Sequence, residues 1–256
     1  MKDLMLEEGL QPAMMGAVAT ATSVPALTVD APNRTALHQA RRAKLAEVTK
    51  GSNQLYLSHG KRVTDIVLAL LLLPVLVPVI AILYLITRRD GGPGFFGHRR
   101  VGKDGKVFKC WKIRTMVVGA EQKLQEHLRA NPEAAAEWAR DYKLENDPRI
   151  TRIGDFLRRS SLDELPQIWN VLKGEMSFVG PRPIIRTEMH KYAGYQWAYL
   201  AVRPGVTGVW QVSGRNDVDY DQRVAMDVDY MSQAGLLFDL GVVVKTAGAV
   251  LKRTGK

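Results

Sequence analysis

Two adjacent carboxylates, Asp163 and Glu164, follow a pair of arginines, Arg158 and Arg159, near the middle of the chain. One carboxylate could attack phosphorus while its neighbour holds Mg²⁺, because a divalent cation neutralises the phosphate charge that would repel an anionic nucleophile. The arginines could then clamp phosphate oxygens. A structural interpretation fits the same residues, since Ser161 and Glu164 have the spacing of a capping box and acids stabilise a helix start. This segment alone leaves both interpretations open.

Three further cations stand in patterns that suit phosphate binding. Lys112 and Arg114 occupy alternate positions, which places both side chains on one face if the segment is a strand. Arg182 lies between Pro181 and Pro183, whose rings restrict the backbone and reduce the entropy lost when a guanidinium binds phosphate. An exposed basic strand and a rigid turn with a solvated arginine are the structural alternatives.

Glycine-containing stretches in the C-terminal part carry Arg203 and Arg215, with Trp210 between them. Such turns can offer backbone N–H groups and guanidinium groups to a diphosphate, and the tryptophan ring could stack on a base. Glycine turns around a core tryptophan are the alternative.

The overall composition favours anionic partners. Lys and Arg number 36 against 26 acidic residues, a formal charge of +10, which suits nucleotides, phosphates or an acidic lipid surface. The sequence has no basic-aromatic RNA-binding motif, so nucleic acid is not expected as a partner. The single cysteine, Cys110, excludes an internal disulfide and a multi-cysteine zinc site, and it suits a reducing compartment. We therefore expect the catalytic part to be cytoplasmic.

An uncharged apolar segment runs from Ile66 to Ile86. Its length of about 21 residues would reach roughly 30 Å as a helix, enough to cross a bilayer core. Pro74 and Pro78 near the middle predict a sharp bend. Basic residues flank both ends, so the charge bias that orients a spanning helix is missing. A helical hairpin that enters and leaves by the same face explains both features, and a kinked spanning helix is the alternative.

Several shorter elements are also predicted. The turn signal Asp104-Gly105 indicates a β-hairpin, and Gly174 marks the end of a helix that opens at Pro166. Residues 92–97 match the dinucleotide-binding pattern by letter, but no strand precedes them and no helix is expected to follow, so dinucleotide binding is not predicted. Other helices are predicted at 120–128, 132–144 and 236–253, the last lying either on lipid or in the core.

In this order, the segments resemble the bacterial sugar transferase family, the monotopic polyprenyl-phosphate sugar-phosphate transferases. The similarity runs from about Lys61 to about Thr246. It is carried by the Pro-broken apolar segment and by Lys61-Arg62 with Asp65, Arg99 to Gly102, Lys112 to Met116, Asp147 to Thr151, Ser161 to Asn170 and Gly180 to Pro183.

The resemblance implies a role for each part. The apolar segment corresponds to a re-entrant membrane helix broken at Pro74. Asp163 corresponds to the nucleophile that attacks phosphate, and Glu164 beside it to the Mg²⁺ ligand, so that the two carboxylates form the metal site. The residue patterns described above add the expected phosphate and nucleotide contacts, which are Lys112, Arg114, Arg158, Arg159, Arg182, Arg203 and Arg215.

The C-terminal part, Arg203 to Asn216 with Tyr220, Arg223 and Asp227, is similar to the longer, hexose-using members that begin exopolysaccharide or O-antigen repeats. Galactose or glucose is therefore the expected sugar. Some of those relatives carry several extra membrane helices and a further domain upstream, where this sequence has a polar tail.

Together these observations predict an α+β, mostly α-helical, membrane-associated protein in three parts. They are a disordered polar tail at 1–55 with a short basic helix at 36–48, a re-entrant membrane helix with its flanks at 56–90, and a cytoplasmic catalytic domain with interfacial helices at 91–256.

The expected activity is the transfer of hexose 1-phosphate from a UDP-sugar to polyprenyl (undecaprenyl) phosphate at the cytoplasmic face of the bacterial inner membrane. UMP would be released and a covalent aspartyl intermediate formed, as the first membrane step of exopolysaccharide synthesis. A membrane phosphohydrolase and a non-catalytic module that binds anionic lipid or RNA are the alternatives. A homo-oligomer and contacts with later glycosyltransferases stay open.

Overall fold

The computed structural model describes Glu47 and residues 52–213 and 218–251. Helices predominate over strands in these residues, which confirms the mostly α-helical class. The helices are α1 (Ser52–Leu55), α2 (Lys61–Thr87), α3 (Ala120–Ala130), α4 (Pro132–Asp141), α5 (Arg152–Arg159), α6 (Gln167–Lys173), α7 (Gln196–Ala201), α8 (Val209–Ser213), α9 (Tyr220–Gln233) and α10 (Leu236–Leu251). The strands are β1 (Phe95–Val101), β2 (Val107–Ile113), β3 (Ser177–Val179) and β4 (Gly205–Thr207).

The long apolar helix α2 is one continuous helix of 27 residues with both prolines inside it. Proline has no N–H, so the carbonyl groups of Leu70 and Pro74 lose their intrahelical donors. Within the described residues, the stretch Asn53–Asp90 is the one helix long and apolar enough to cross a membrane. The re-entrant path and the break at Pro74 stay predictions, as do the domain boundaries.

One face of α2 packs against the rest of the protein along most of its length. Ala69 is fully buried in a cluster that includes Ile168 and Met176, and Leu83 packs with Ile113 and Leu157 in a second cluster. The other faces carry exposed apolar side chains, among them Leu71, Val75, Val77, Ile82 and Leu85. The helix therefore has a protein-facing stripe and a wide uncovered apolar surface.

The N-terminal end of α2 is held by buried charges. Lys61 Nζ donates to Asp239 Oδ2 of α10 at 2.6 Å, and both side chains are nearly inaccessible to solvent. One turn later, Asp65 Oδ1 accepts hydrogen bonds from Ser177 Oγ at 2.8 Å and from the backbone N–H of Phe178 at 3.0 Å.

The C-terminal end of α2 is held by Arg114. Its guanidinium donates to Asp90 Oδ2 at 2.8 Å and to the carbonyl oxygen of Thr87 at 3.0 Å. The same group also donates to the carbonyl oxygens of Pro93 and Met116, both at 2.6 Å. Both ends of the apolar helix therefore bind the same folded body.

The predicted β-hairpin is confirmed. Strands β1 and β2 pair antiparallel, with Phe95 opposite Ile113 at one end and Val101 opposite Val107 at the other. Asp104 at the turn has a left-handed backbone with φ 60°, a conformation that aspartate tolerates better than most residues. Residues 92–97 run into β1 and open no helix, as the sequence predicted.

A short parallel pair, β3 and β4, joins the C-terminal helices to the hairpin side of the protein. Ser177 pairs with Gly205 and Val179 with Thr207. Val179 belongs to a core cluster with Tyr230 of α9 and Val242 of α10.

The predicted helices at 120–128, 132–144, 166–173 and 236–253 all exist, with the bounds given above. The predicted basic helix at 36–48 and most of the tail lie outside the described residues.

Candidate active site

The paired carboxylates lie on a tight turn directly after α5. Thr151 caps that helix, because its hydroxyl accepts a hydrogen bond from the N–H of Gly154 at 2.9 Å. After the helix, Ser161 has a left-handed backbone with φ 57° and ψ 16°, which costs a non-glycine residue on the order of 1–3 kcal/mol and is often found at functional sites. A 3-10 turn, Leu162–Glu164, follows and presents the two acids.

The structure does not form the capping box that the spacing of Ser161 and Glu164 would allow. Ser161 makes no side-chain capping hydrogen bond, since its left-handed backbone differs from the extended conformation that a helix-capping serine needs. The Glu164 carboxylate faces a cation instead. Lys112 Nζ on β2 lies 2.7 Å from Glu164 Oε1 and 3.4 Å from Asp163 Oδ2. The structure therefore brings Lys112, Asp163 and Glu164 together, and these three residues form the carboxylate cluster.

In the carboxylate cluster, the pKa values of the two acids shift in opposite directions. Burial raises the pKa of Asp163 and the negative charge of Glu164 adds to the rise, although Lys112 opposes it. Burial also acts to raise the pKa of Glu164, but Lys112 and Arg182 outweigh it, and that pKa lies below its ordinary value. Burial acts to lower the pKa of Lys112, but the two carboxylates outweigh it and raise that pKa. Glu164 is thus the firmly ionised partner and Asp163 the more weakly stabilised carboxylate.

Asn170 on α6 holds β2, and with it Lys112, in position. Its side-chain oxygen accepts the backbone N–H of Trp111 at 3.0 Å, and its Nδ2 donates to the carbonyl oxygen of Lys109 at 2.7 Å. Asn170 is completely buried. The amide therefore bonds to the edge of β2 in the way that a neighbouring strand would.

Two of the predicted arginines belong to the surroundings of the carboxylate cluster. Arg158 Nε donates to Thr115 Oγ1 at 2.9 Å, and its charge is among those that oppose the burial-driven rise in the pKa of Asp163. Arg182 is exposed, and its guanidinium lies 5.9 Å from the centre of the Trp210 ring. Within the described part of the chain, Arg182 makes no hydrogen bond, so its five donors remain open for an anion.

Three of the predicted arginines are not brought to the carboxylate cluster. Arg114 directly follows the last residue of β2, and its guanidinium binds the end of α2. Arg159 is exposed and pairs with Asp155 on α5. Arg203 Nε donates to the carbonyl oxygen of Gly174, at the far end of α6 from the acids. Arg215 lies outside the described residues.

The candidate magnesium site consists of two carboxylates. No group of three or more metal-binding side chains occurs in the described residues. Mg²⁺ commonly uses one or two protein carboxylates together with waters and substrate phosphates. Asp163 and Glu164 fit that donor set. The Lys112 ammonium lies beside both carboxylates, which shows that their negative charges attract a cation at this position. Mg²⁺ binding stays a prediction.

Sequence reasoning missed three residues that lie near Arg182. Arg100, Glu188 and Tyr192 line a cavity together with Arg182. Arg100 belongs to the segment Arg99 to Gly102 that carries the family resemblance, but its spacing gives no sign of a cavity. Only the tertiary fold brings β1 next to the segment Arg186–Tyr192, almost ninety positions later.

A family model described as bacterial sugar transferase matches residues 56–253. The chain belongs to the bacterial sugar transferase family. The matched range includes the apolar helix, the carboxylate cluster and the cavity. The family that the sequence was found to resemble is therefore confirmed.

Relatives within the sugar transferase family have named functions. The chain is 54% identical over 195 residues to the UDP-galactose-lipid carrier transferase of Erwinia amylovora, a match covering 76% of this chain and 41% of the relative. It is 51% identical over 195 residues to the undecaprenyl-phosphate galactose phosphotransferase of Salmonella typhimurium, with the same coverage. It is 47% identical over 197 residues to the exopolysaccharide production protein ExoY of Rhizobium meliloti, covering 77% of this chain and 87% of that protein. The matches span about two fifths of the first two relatives.

Proposed function

We propose that this sugar transferase family member moves hexose 1-phosphate, from a UDP-sugar, onto undecaprenyl phosphate. The observation that carries the proposal is the carboxylate cluster, in which a buried Asp163 lies beside Glu164 and both face Lys112. Such a pair suits a phosphoryl transfer that proceeds through a covalent carboxylate intermediate. The names of the relatives support the lipid phosphate as acceptor, galactose as the first sugar to test, and exopolysaccharide synthesis as the setting.

The proposed reaction has two displacements at one phosphorus atom. In the first, an Asp163 oxygen bonds to the phosphorus that carries the hexose, and the bond from that phosphorus to the bridging diphosphate oxygen breaks, so UMP leaves. In the second, an oxygen of the lipid phosphate bonds to the same phosphorus and the Asp163 carboxylate is released. Neither displacement requires an oxidant or a water molecule.

The surrounding cations have roles in this scheme. Lys112 lies between the two acids and would stabilise the anionic form of Asp163 before attack. Arg182 offers a planar guanidinium with open donors, which suits two oxygens of one phosphate. Mg²⁺ held by Asp163 and Glu164 would neutralise phosphate charge when bound. Arg158 would keep its side of the site positive while anchored to Thr115.

We propose further that α2 lies in one leaflet and does not cross the membrane. Its two ends bind the same folded body, through Lys61 at one end and Arg114 at the other. Its outer faces expose leucine and valine that lipid would cover. Basic residues flank both ends, which supports the cytoplasmic face of the inner membrane. The lipid acceptor and the water-soluble donor would then meet at the headgroup plane.

The test is a single-turnover experiment with a donor labelled in the phosphate next to the hexose. Without acceptor, wild-type protein should retain label and release one equivalent of UMP. Asp163→Asn should abolish both, and Glu164→Gln should weaken the dependence of the rate on Mg²⁺. Adding undecaprenyl phosphate should move the label to lipid.

Other outcomes identify the alternatives. Continuous UMP release without lipid phosphate would indicate a phosphohydrolase. Intersecting steady-state patterns with no trapped adduct would indicate direct transfer and remove the nucleophile role from Asp163. Salt-sensitive binding to anionic lipid or RNA, with no UMP release from any UDP-sugar, would indicate a non-catalytic module.

A further inference from the structure

A cavity of about 130 Å³ lies on the side of Arg182 that faces α9. It is much smaller than the roughly 300–1,000 Å³ clefts that hold whole drug-sized ligands, so it accommodates one ring-sized part of a nucleotide sugar. Its polar lining comes from distant parts of the chain, namely Arg100, Arg182, Glu188, Tyr220, Arg223 and Asp227.

The acceptors in this cavity need hydrogen-bond donors. Asp227 is 2% exposed, and its Oδ2 accepts one hydrogen bond from the Tyr192 hydroxyl at 2.8 Å. Within the described residues this is the one hydrogen bond that the Asp227 carboxylate receives, although a buried carboxylate can accept several. Glu188 Oε2 accepts the N–H of Ile185 at 3.0 Å and lies 3.8 Å from Arg100. A ligand that only accepts hydrogen bonds, such as a phosphate dianion, would leave the ionised form of Asp227 unsatisfied.

The ring of Trp210 in this cavity is already covered by two arginines. The Trp210 ring is 6% exposed, and the guanidinium groups of Arg182 and Arg223 lie 5.9 Å and 4.6 Å from its centre. Little of the ring remains on which a nucleobase could stack. The guanidinium groups that lie over Trp210 can donate hydrogen bonds to hydroxyl oxygens.

We infer that this cavity is the binding site for the hexose of the donor, with Asp227 accepting hydrogen bonds from sugar hydroxyl groups. The inference rests on the proposed function. A hexose both donates and accepts through each hydroxyl, so it satisfies the carboxylates and the guanidinium groups of the same wall. A buried polar group that loses its partner is penalised strongly, so such a site discriminates between sugars that differ in one hydroxyl.

The position of the cavity agrees with the chemistry. Arg182 lines it, and the same open guanidinium is the phosphate-binding group of the proposed function. In a sugar 1-phosphate, the hexose is joined directly to the reacting phosphorus. A phosphate bound by Arg182 would therefore have its sugar ring next to this cavity, which Arg182 also lines.

The experiment compares UDP-galactose with UDP-glucose, which differ in the orientation of one hydroxyl, in wild-type full-length protein and in Asp227→Asn. Transfer to undecaprenyl phosphate is measured as kcat/KM for each sugar, and UMP is used as a product inhibitor. Asp227→Asn should lower kcat/KM for the better sugar by about 10- to 100-fold, the size of one lost hydrogen bond to a charged group. The ratio between the two sugars should change, and inhibition by UMP should stay within about twofold of wild type.

Matched variants keep the inference falsifiable. Asp229→Asn changes an exposed acid on the same helix and should leave both sugars unaffected. Glu188→Gln serves as a second cavity variant if Asp227→Asn does not fold, and it should also change the sugar ratio. Loss of UMP inhibition with an unchanged sugar ratio would place the nucleoside in the cavity and overturn the inference, as would no effect in either cavity variant. A wild-type protein that releases no UMP from any UDP-sugar would overturn the proposed function itself.

Discussion

Lys112 donates a 2.7 Å hydrogen bond to Glu164, across the gap between β2 and the turn that carries both acids. The same ammonium is 3.4 Å from Asp163. Burial raises the pKa of Asp163, and Lys112 opposes that rise. Since only the carboxylate form of Asp163 can attack phosphorus, the rate should fall as the pH decreases through this raised pKa.

Lys112→Ala should therefore move the acid limb of the kcat/KM profile to higher pH and lower the plateau rate by about 10- to 1,000-fold. Lys112→Arg keeps the charge and should keep the limb close to its wild-type position. Lys109→Ala, at an exposed position of the same strand, is the control. An acid limb that does not move in Lys112→Ala would separate Lys112 from the ionisation of Asp163.

The two arginines Arg114 and Arg182 should respond differently to the same conservative change. Arg114→Lys cannot reach the carboxylate and the three carbonyl groups that the guanidinium binds, so it should lower the free energy of unfolding by about 2–4 kcal/mol. Arg182→Lys should leave stability unchanged and lower kcat/KM by about 10- to 100-fold. Chemical unfolding in detergent and initial rates measure both. If Arg114→Lys keeps full stability but loses activity, Arg114 is a ligand-binding residue after all.

We expect that even the conservative change of Asn170 to aspartate is not tolerated. Asn170→Asp removes the donor to Lys109 and points a charge at the backbone carbonyl oxygen and at Glu175, whose Oε2 lies 2.6 Å from Asn170 Nδ2. We expect a loss of about 2–4 kcal/mol in unfolding free energy and a lower transfer rate. Adding Glu175→Gln should restore part of the stability, because its amide can donate to the new carboxylate. No recovery in the double variant would refute this pairing.

Asp227 should make stability depend on pH. Burial raises the pKa of Asp227 from 3.8 to about 7, although the Tyr192 hydroxyl acts to lower it. Between these two values the unfolded chain releases the proton and the folded protein keeps it, so stability should be greatest below the unfolded pKa and decrease as the pH rises to about 7. Relative to Asp227→Asn, the wild type should lose on the order of 4 kcal/mol over this range. Parallel pH profiles for the two proteins would contradict the prediction.

The path of α2 can be tested by labelling. Leu55 precedes α2 and Arg89 follows it, and both are exposed. Single cysteines placed there in a Cys110→Ala background should both be protected from an impermeant reagent in intact cells. Both should react after permeabilisation. Reaction at one site only would mean that the helix spans the membrane. Pro74→Ala should favour a straight helix and reduce transfer.

Local patterns predicted the local features of this protein. Gly174 has the left-handed backbone of a helix end, and the turn at Asp104-Gly105 joins two strands, because turn chemistry acts within a few residues. The same short range explains the failures. The capping box at Ser161 had the right spacing, but Glu164 binds a lysine that is far away in sequence.

The residue spacing could not predict that Lys112 and Arg114 have different partners. Lys112 and Arg114 do alternate along the chain, but Lys112 meets Glu164 whereas Arg114 binds groups at the end of α2. The partners that a side chain meets depend on tertiary packing, which periodicity does not encode. The cavity wall at Asp227 depends on packing between β1, the segment Arg186–Tyr192 and α9, which no pairwise spacing encodes.

The ion pair between Lys61 and Asp239 joins residues that are 178 positions apart. A ribosome adds about 5–20 residues per second, so about 9–36 s separate the synthesis of the two partners. During that interval the apolar helix has left the ribosome, but the last helix, which carries Asp239, does not yet exist. The partners of Ala69 and Leu83 are made earlier, so the apolar helix can dock along most of its length first, and its N-terminal end acquires its charge partner last.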